Sequence, residues 1–268
     1  MKLHVLHRTS YRYATAASYS IQVLKLTPRR ETMQRALHWR LSTPGRRIEQ
    51  LDPFGNMGHL LTLEGGHQEV TIVAEGLVET MDHADGFLAH DGALSPLAFV
   101  NTTALTCANQ TIVELAAQSF GGQRATRASV SRLATAVANR VTYRPGTTQV
   151  SDSAIDVIER GEGVCQDQAH VAIAACRAAG IPARYVSGYV RTSEDDAASH
   201  AWMDVWLADE ARWFSWDITQ QQPAGSAMCR LAVGRDYLDA APVRGMRRGG
   251  GREQLEVQVL VSEHESGT

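Results

Sequence analysis

The run Gly161-Glu162-Gly163-Val164-Cys165-Gln166-Asp167-Gln168-Ala169-His170 decides how the rest of this chain is read. Two glycines stand just before the cysteine. Ala-rich helical sequence follows it to about Ala179, where Gly180 and Pro182 stop the helix. Cys165 therefore falls at or near a helix N-terminus, where unpaired backbone N–H groups and the helix dipole favour a thiolate. The small residues ahead of it leave room for a substrate carbonyl, and a nucleophilic cysteine needs both features. Cys176 lies inside the same helix beside Ala174, Ala175 and Ala178 and reads as a small core residue. Cys107 and Cys229 have no comparable setting.

A thiol nucleophile needs a base, and two histidines compete for that role. His170 follows Cys165 on the helix and, at about 100° per residue, points roughly 140° away from it. It reads as a structural, hydrogen-bonded histidine. His200 opens the strand-like run His200-Ala201-Trp202-Met203-Asp204-Val205-Trp206-Leu207. Arg212-Trp213-Phe214-Ser215-Trp216-Asp217 follows after the polar turn Ala208-Asp209-Glu210-Ala211. A two-residue turn in this hairpin makes Asp217 face His200 directly, and a four-residue loop sets the pair diagonally on one face. A three-residue loop puts them on opposite faces unless a bulge intervenes. An aspartate beside the imidazole fixes the tautomer, stabilises the imidazolium and leaves one ring nitrogen for the thiol. Cys165, His200 and Asp217 are the candidate catalytic residues.

Outside this block the chain divides. Residues 2–80 alternate in period two at His4-Val5-Leu6-His7, Ala36-Leu37-His38-Trp39-Arg40-Leu41 and Val70-Thr71-Ile72-Val73. Turns are expected at Thr43-Pro44-Gly45, Asp52-Pro53-Phe54-Gly55-Asn56 and Glu64-Gly65-Gly66, which suggests an antiparallel sheet or sandwich. No residue in this stretch carries nameable chemistry. Residues 82–100, rich in Asp, Gly and Pro, read as a linker. Helical periods follow near 112–117, 130–137 and 153–158. Beyond the Cys165 helix come strand-like runs at 183–190, 200–207 and 212–218, then a Gly249-Gly250-Gly251 turn and a last strand, Leu255 to Val261. The expected division is a β-rich N-terminal domain (1–81), a linker (82–100) and a catalytic core (101–268).

Composition excludes several functions. The 268 residues are 44% apolar and 21% charged, with a net charge of -3. That is average for a globular protein and lacks the basic excess of a nucleic-acid binder. No apolar run reaches the roughly 18 residues that cross a bilayer, and the first residues lack a secretory pattern. A cytoplasmic protein is expected, with free thiols as the default for its four cysteines. No metal is expected either. The chain has no CxxC or HExxH, and the acidic run from Asp82 to Gly92 lacks the ligand pattern of a calcium loop. Only Lys2 and Lys25 are lysines, so self-cross-linking is a poor expectation.

The cysteine block resembles the core of bacterial transglutaminase-like proteins. So do Arg177-Ala178-Ala179-Gly180-Ile181-Pro182-Ala183-Arg184-Tyr185-Val186-Ser187-Gly188-Tyr189, Ser199-His200-Ala201-Trp202 and Trp216-Asp217. Val233-Gly234-Arg235-Asp236-Tyr237 and Pro242-Val243-Arg244-Gly245 look like the C-terminal part of that family, and residues 1–80 like its β-rich N-terminal domain. The resemblance implies an α+β fold, with an N-terminal antiparallel β domain and a papain-like core of helices packed on an antiparallel sheet. It implies Cys165 as nucleophile, His200 as general base and then acid, and Asp217 as orienting carboxylate. The family's chemistry forms a thioester from a carboxamide or peptide bond, which water hydrolyses or an external amine accepts. The implied partner is thus a peptide or amide substrate, with no cofactor. Two departures stand beside the site: Gln168 replaces a usual aromatic, and Asp217-Ile218-Thr219-Gln220 replaces Asp-Pro-Thr-Asn. The backbone N–H of Cys165 is an oxyanion-hole candidate. Tyr143 fits either the cleft wall or the core, and Trp202, Trp206, Trp213 and Trp216 are numerous enough to build an apolar cleft, although alternate tryptophans in strands are more often plain core. The alternative, from another class, is a non-catalytic peptide-binding module on the same fold.

Overall fold

Period-two alternation builds the N-terminal region as β1 (Lys2–Leu24), β2 (Gln34–Ser42), β3 (Arg46–Leu51) and β4 (Met57–Thr80). The computed structural model describes residues 1–81, 85–90, 94–191 and 199–264. Leu3 and Val5 of β1 share an inward face with Ile72, Ala74 and Val78 of β4. These two long strands pair antiparallel with register shifts on either side of Ala17. Glu64-Gly65-Gly66, expected as a turn, lies inside β4 at this irregularity. Gly65 takes φ 85° there, and the strand bends instead of reversing.

The helical periods become α1 (Gln110–Phe120), α2 (Arg127–Arg140), α3 (Ala154–Arg160) and α4 (Cys165–Ala178). Helix α4 is buried from Asp167 through Arg177, because α1, α2 and α3 pack around it and a sheet covers the rest. That sheet holds β5 (Phe87–Leu88), β8 (Ala183–Val190), β9 (Ser199–Leu207), β10 (Arg212–Asp217), β11 (Gln222–Pro223) and β12 (Met228–Gly234). Its order is β11-β10-β9-β8-β12, with β5 on β10. A short parallel pair, β6 (Thr142–Tyr143) and β7 (Glu162–Gly163), holds the chain just before Cys165. Helix α5 (Tyr237–Ala240) and strands β13 (Val243–Gly249) and β14 (Glu253–Glu263) end the chain. The architecture is α+β, with helices on an antiparallel sheet and a second, N-terminal sheet.

Two expected boundaries change. Within the stretch read as a linker, residues 82–84 and 91–93 lie outside the described residues, but Phe87 and Leu88 pair with Phe214 and Trp213. Leu88 and Phe99 are buried, so an apolar strand and a short helical turn stand where a solvated connector was expected. The C-terminal hairpin, assigned by sequence to the core, joins the N-terminal sheet instead: β13 and β14 both pair with β1. The reason is that β1 is long enough to offer two successive edge segments, and the triple-glycine turn, all at positive φ, lets the hairpin fold back along them. The two sheets also share apolar packing. Leu3, Val5, Val78, Val259 and Val261 from the first cluster with Tyr189, Cys229 and Leu231 from the second.

Candidate active site

The two glycines before Cys165 act for different reasons. Gly161 adopts φ 79° and closes α3, its N–H returning to the Val157 carbonyl at 2.9 Å. Gly163 is required by space, since a Cβ there would lie 2.7 Å from the Cβ of Asp167. Asp167 accepts through Oδ2 from the Val164 N–H at 2.7 Å and from Thr148 Oγ1 at 2.7 Å, so it caps the first turn of α4. Cys165 emerges half-buried as the first helical residue.

The β9–β10 hairpin brings the other two residues together. Arg212 pairs with Leu207 and Trp216 with Met203, which is the four-residue-loop alternative. His200 and Asp217 therefore stand diagonally on one face, with Nε2 2.7 Å from Oδ2. Asp217 is fully buried, and its Oδ1 accepts from the N–H groups of Thr219 at 2.9 Å and Gln220 at 3.1 Å. With both oxygens engaged, the carboxylate cannot rotate away from the imidazole. The Cys165 thiol lies close enough to the same ring to act on its charge. Since Nε2 is held by Asp217, Nδ1 is the nitrogen left for sulfur. Burial by itself lowers the pKa of His200, but the hydrogen bond to Asp217 and the nearby Cys165, with their charges, outweigh it and push it up to about 10.

The remaining candidates separate cleanly. His170 is fully buried, and its Nε2 accepts from the Tyr237 N–H at 3.1 Å. Burial, with the nearby Arg177 charge, lowers its pKa to about 3, so it stays neutral in a structural role. Burial pushes the thiols of Cys176 and Cys229 up to about 12, and Cys107 donates to the Thr103 carbonyl at 3.1 Å. Tyr143 is 49% exposed, at the rim and not in the core; burial and then the Cys165 charge raise its pKa. Trp202, Trp213 and Trp216 are buried strand residues.

Sequence reading missed what lies beneath the histidine. Trp202 Nε1 donates to Ser215 Oγ at 3.0 Å, and Arg230 Nη1 donates to the same oxygen at 3.2 Å. Arg230 also forks onto Asp204 at 3.0 and 2.6 Å, where Arg184 Nε adds a 2.8 Å contact. On its other side the Arg230 Nε is 2.8 Å from Glu31 Oε2, and Arg29 holds the second Glu31 oxygen at 2.7 Å. A buried charge network thus runs from the N-terminal region to the strand face that carries His200. Buried but unpaired charges are costly, which is why these five ionised side chains come as a set. The charged run Arg29-Arg30-Glu31 gives no local sign of this, because its partners lie on β9 and β12.

Residues 113–218 match the Transglutaminase-like superfamily, and residues 3–79 match the Bacterial transglutaminase-like N-terminal region. An uncharacterized protein of Mycobacterium leprae is 31% identical over 97% of this chain and 98% of its own length. The chain belongs to the bacterial transglutaminase-like family. A Mycobacterium tuberculosis relative is likewise 31% identical, over 91% of this chain and 87% of its own. A solved structure of a candidate cysteine protease from Cytophaga hutchinsonii has the same fold, with a TM-score of 0.80, 23% identity, and coverage of 100% of this chain and 92% of that one. The fold is therefore that of the transglutaminase-like core with its N-terminal β region.

Within this family member, Gln168 reaches the segment that holds the second departure, at Thr219 between Ile218 and Gln220. Gln168 Oε1 accepts from Thr219 Oγ1 at 2.7 Å, and Gln168 Nε2 donates to the Val141 carbonyl at 2.9 Å. The glutamine that replaces an aromatic thus ties the cysteine helix to the turn that seats Asp217.

Proposed function

We propose that this protein is a cysteine-dependent amidase or peptidase acting through a Cys165 thioester. The observation that carries the reading is the buried 2.7 Å bond between His200 and Asp217, with the Cys165 thiol near enough to the same ring to act on its charge. In the forward step His200 Nδ1 takes the thiol proton, sulfur adds to the substrate carbonyl, and the charge that develops on oxygen is met by the Cys165 N–H at the helix N-terminus. Collapse of the adduct breaks the C–N bond, and the imidazolium protonates the departing amine. Water, deprotonated by His200, then attacks the thioester and releases the acid and the thiol. Asp217 keeps the ring oriented throughout and stabilises its charged form.

Hydrolysis is favoured over transfer because Cys165 and Tyr143 stand partly exposed to water, while the tryptophans that could have walled the cleft are spent in the core. The test is the alkylation rate of each cysteine between about pH 5 and 9, in wild type and His200→Ala. Expected is Cys165-selective reaction below the ordinary thiol range of about 8.5, lost in the variant. An inert Cys165, or one that titrates like a free thiol in both proteins, would overturn the reading in favour of a peptide-binding module.

A further inference from the structure

The first sheet carries more apolar surface than the core covers. Residues 255, 257, 259 and 261 of β14 are Leu, Val, Val and Val on one sheet face. Val261 and Val259 are 9% and 7% exposed against the core, but Val257 is 48% and Leu255 53% exposed. Thr9 and Tyr11 of β1 pair with Val257 and Leu255 and share their face. The apolar stripe therefore runs off the end of the core, and the place where it does so is specific. Its end forms one wall of a groove of about 120 Å³ whose other wall holds Ser199, the residue before His200, and Tyr237.

From this juxtaposition we infer that the groove between β14 and α5 is a subsite beside Cys165 and His200 that receives an uncharged, apolar side chain of the acyl substrate. The inference rests on the acyl-transfer reading and specifies its substrate. Position supports it first. Ser199 pairs with Tyr189, whose hydroxyl bonds His7 Nδ1 at 2.9 Å, so the groove floor lies where the start of β9 meets the first sheet. On the other side the Tyr237 ring, which lines the groove, packs edge-on against Tyr185 at 6.4 Å, and Tyr185 lies near enough to Cys165 for its phenol to feel that charge.

Chemistry supports it next. Among the described residues, no Asp, Glu, Lys or Arg lines the groove. His7 is held neutral by burial, with its pKa lowered to about 4, and its Nε2 is engaged by Thr9 Oγ1 at 2.8 Å. A charged side chain brought there would lose its hydration without gaining a partner. A volume of about 120 Å³ is somewhat below the roughly 150 Å³ cavity that holds a benzene ring, so one aliphatic side chain fills it.

The probes are N-acetyl-leucine chloromethyl ketone and N-acetyl-asparagine chloromethyl ketone, which carry the side chain on the acyl side of the reacting carbon and are of similar shape but different polarity, with iodoacetamide as a reagent that has no side chain. The readout is the second-order labelling rate of Cys165 by peptide mass spectrometry. The leucine reagent is expected to react at least about tenfold faster than the asparagine one, the scale of an apolar-pocket preference. Val257→Asp should bring the two to parity and leave the iodoacetamide rate unchanged. Leu255→Asn is a second variant on the same exposed wall, for which the same loss is expected. Equal rates in wild type, or an advantage that survives in folded variants, overturn the subsite while Cys165 still reacts with iodoacetamide. A wild-type Cys165 inert to iodoacetamide removes the acyl-transfer reading and the subsite with it.

Discussion

Asp217 does not face His200 across the hairpin; it sits one step along the diagonal, yet its Oδ2 lies 2.7 Å from the imidazole Nε2. The diagonal works because Asp217 ends its strand and turns back on itself, spending Oδ1 on the Thr219 and Gln220 N–H groups. The carboxylate is therefore both turn-former and histidine partner, and substitutions separate the two tasks. Asp217→Asn keeps an oxygen for the turn, so it should lose about 10² to 10⁴ in turnover at nearly unchanged thermal stability. Asp217→Ala should lose activity and stability together, as two part-buried N–H groups lose their acceptor, at up to about 1–3 kcal/mol each. Thermal melts and single-turnover rates on both variants check this, and equal melting losses would refute the division of labour.

The charge state of His200 gives a pH prediction with a definite sign. Its pKa in the fold is pushed up to about 10, above an unfolded value of about 6.5. The stability it contributes is complete below about 6.5 and is lost as the pH rises toward 10. NMR titration of the imidazole should show a midpoint well above 6.5, and Cys165→Ala should lower it by removing one of the groups that raise it.

His7 and His170 act in the opposite direction. Their pKa values fall to about 4 and about 3 because burial penalises the charged ring. Protonation therefore opposes folding: their penalty is absent well above pH 6.5 and grows as the pH falls toward those values, by up to about 1.4 kcal/mol per unit for each histidine. Urea unfolding between pH 7 and 4.5 should show this slope, and His170→Asn should flatten it. An unchanged slope would assign the acid sensitivity elsewhere.

The Glu31–Arg230–Asp204 network makes the N-terminal region and the core one cooperative unit. Arg230→Met takes from the Asp204 carboxylate its bidentate partner and leaves it Arg184 alone; together the two arginines hold it well below the usual carboxylate range against the cost of burial. The expected loss is about 3–5 kcal/mol. Denaturation of a Trp39→Phe background, whose four remaining tryptophans lie on the core sheet, followed separately by fluorescence and by exchange of β1 amides should give one transition; two well-separated transitions would show independent domains.

Gly163→Ala tests the cysteine loop. The added methyl must displace Asp167, which caps α4, so Cys165 shifts relative to His200. A displacement near 1 Å costs about 10²-fold in rate when reacting groups are pre-positioned, with only a modest fall in melting temperature expected. Full activity in this variant would show that the helix start tolerates the side chain.

Local chemistry in the chain was sufficient for much of this. Glycine, cysteine and alanine in that order made a helix start at Cys165, strand-like runs held His200 and Asp217, flanking alanines marked Cys176 as core, and helical spacing turned His170 away from Cys165. These are properties of neighbouring residues, carried by backbone geometry that repeats every two or three to four positions. Loop length in the β9–β10 hairpin was open among three registers, and only the packed sheet chose one. The return of β13 and β14 to β1, the pairing of Phe87 and Leu88 with β10, and the burial of Glu31 against Arg230 had no local signal at all. Sheet edges and buried charges are satisfied by whichever distant partner the fold delivers, so their pairing is a property of the tertiary structure.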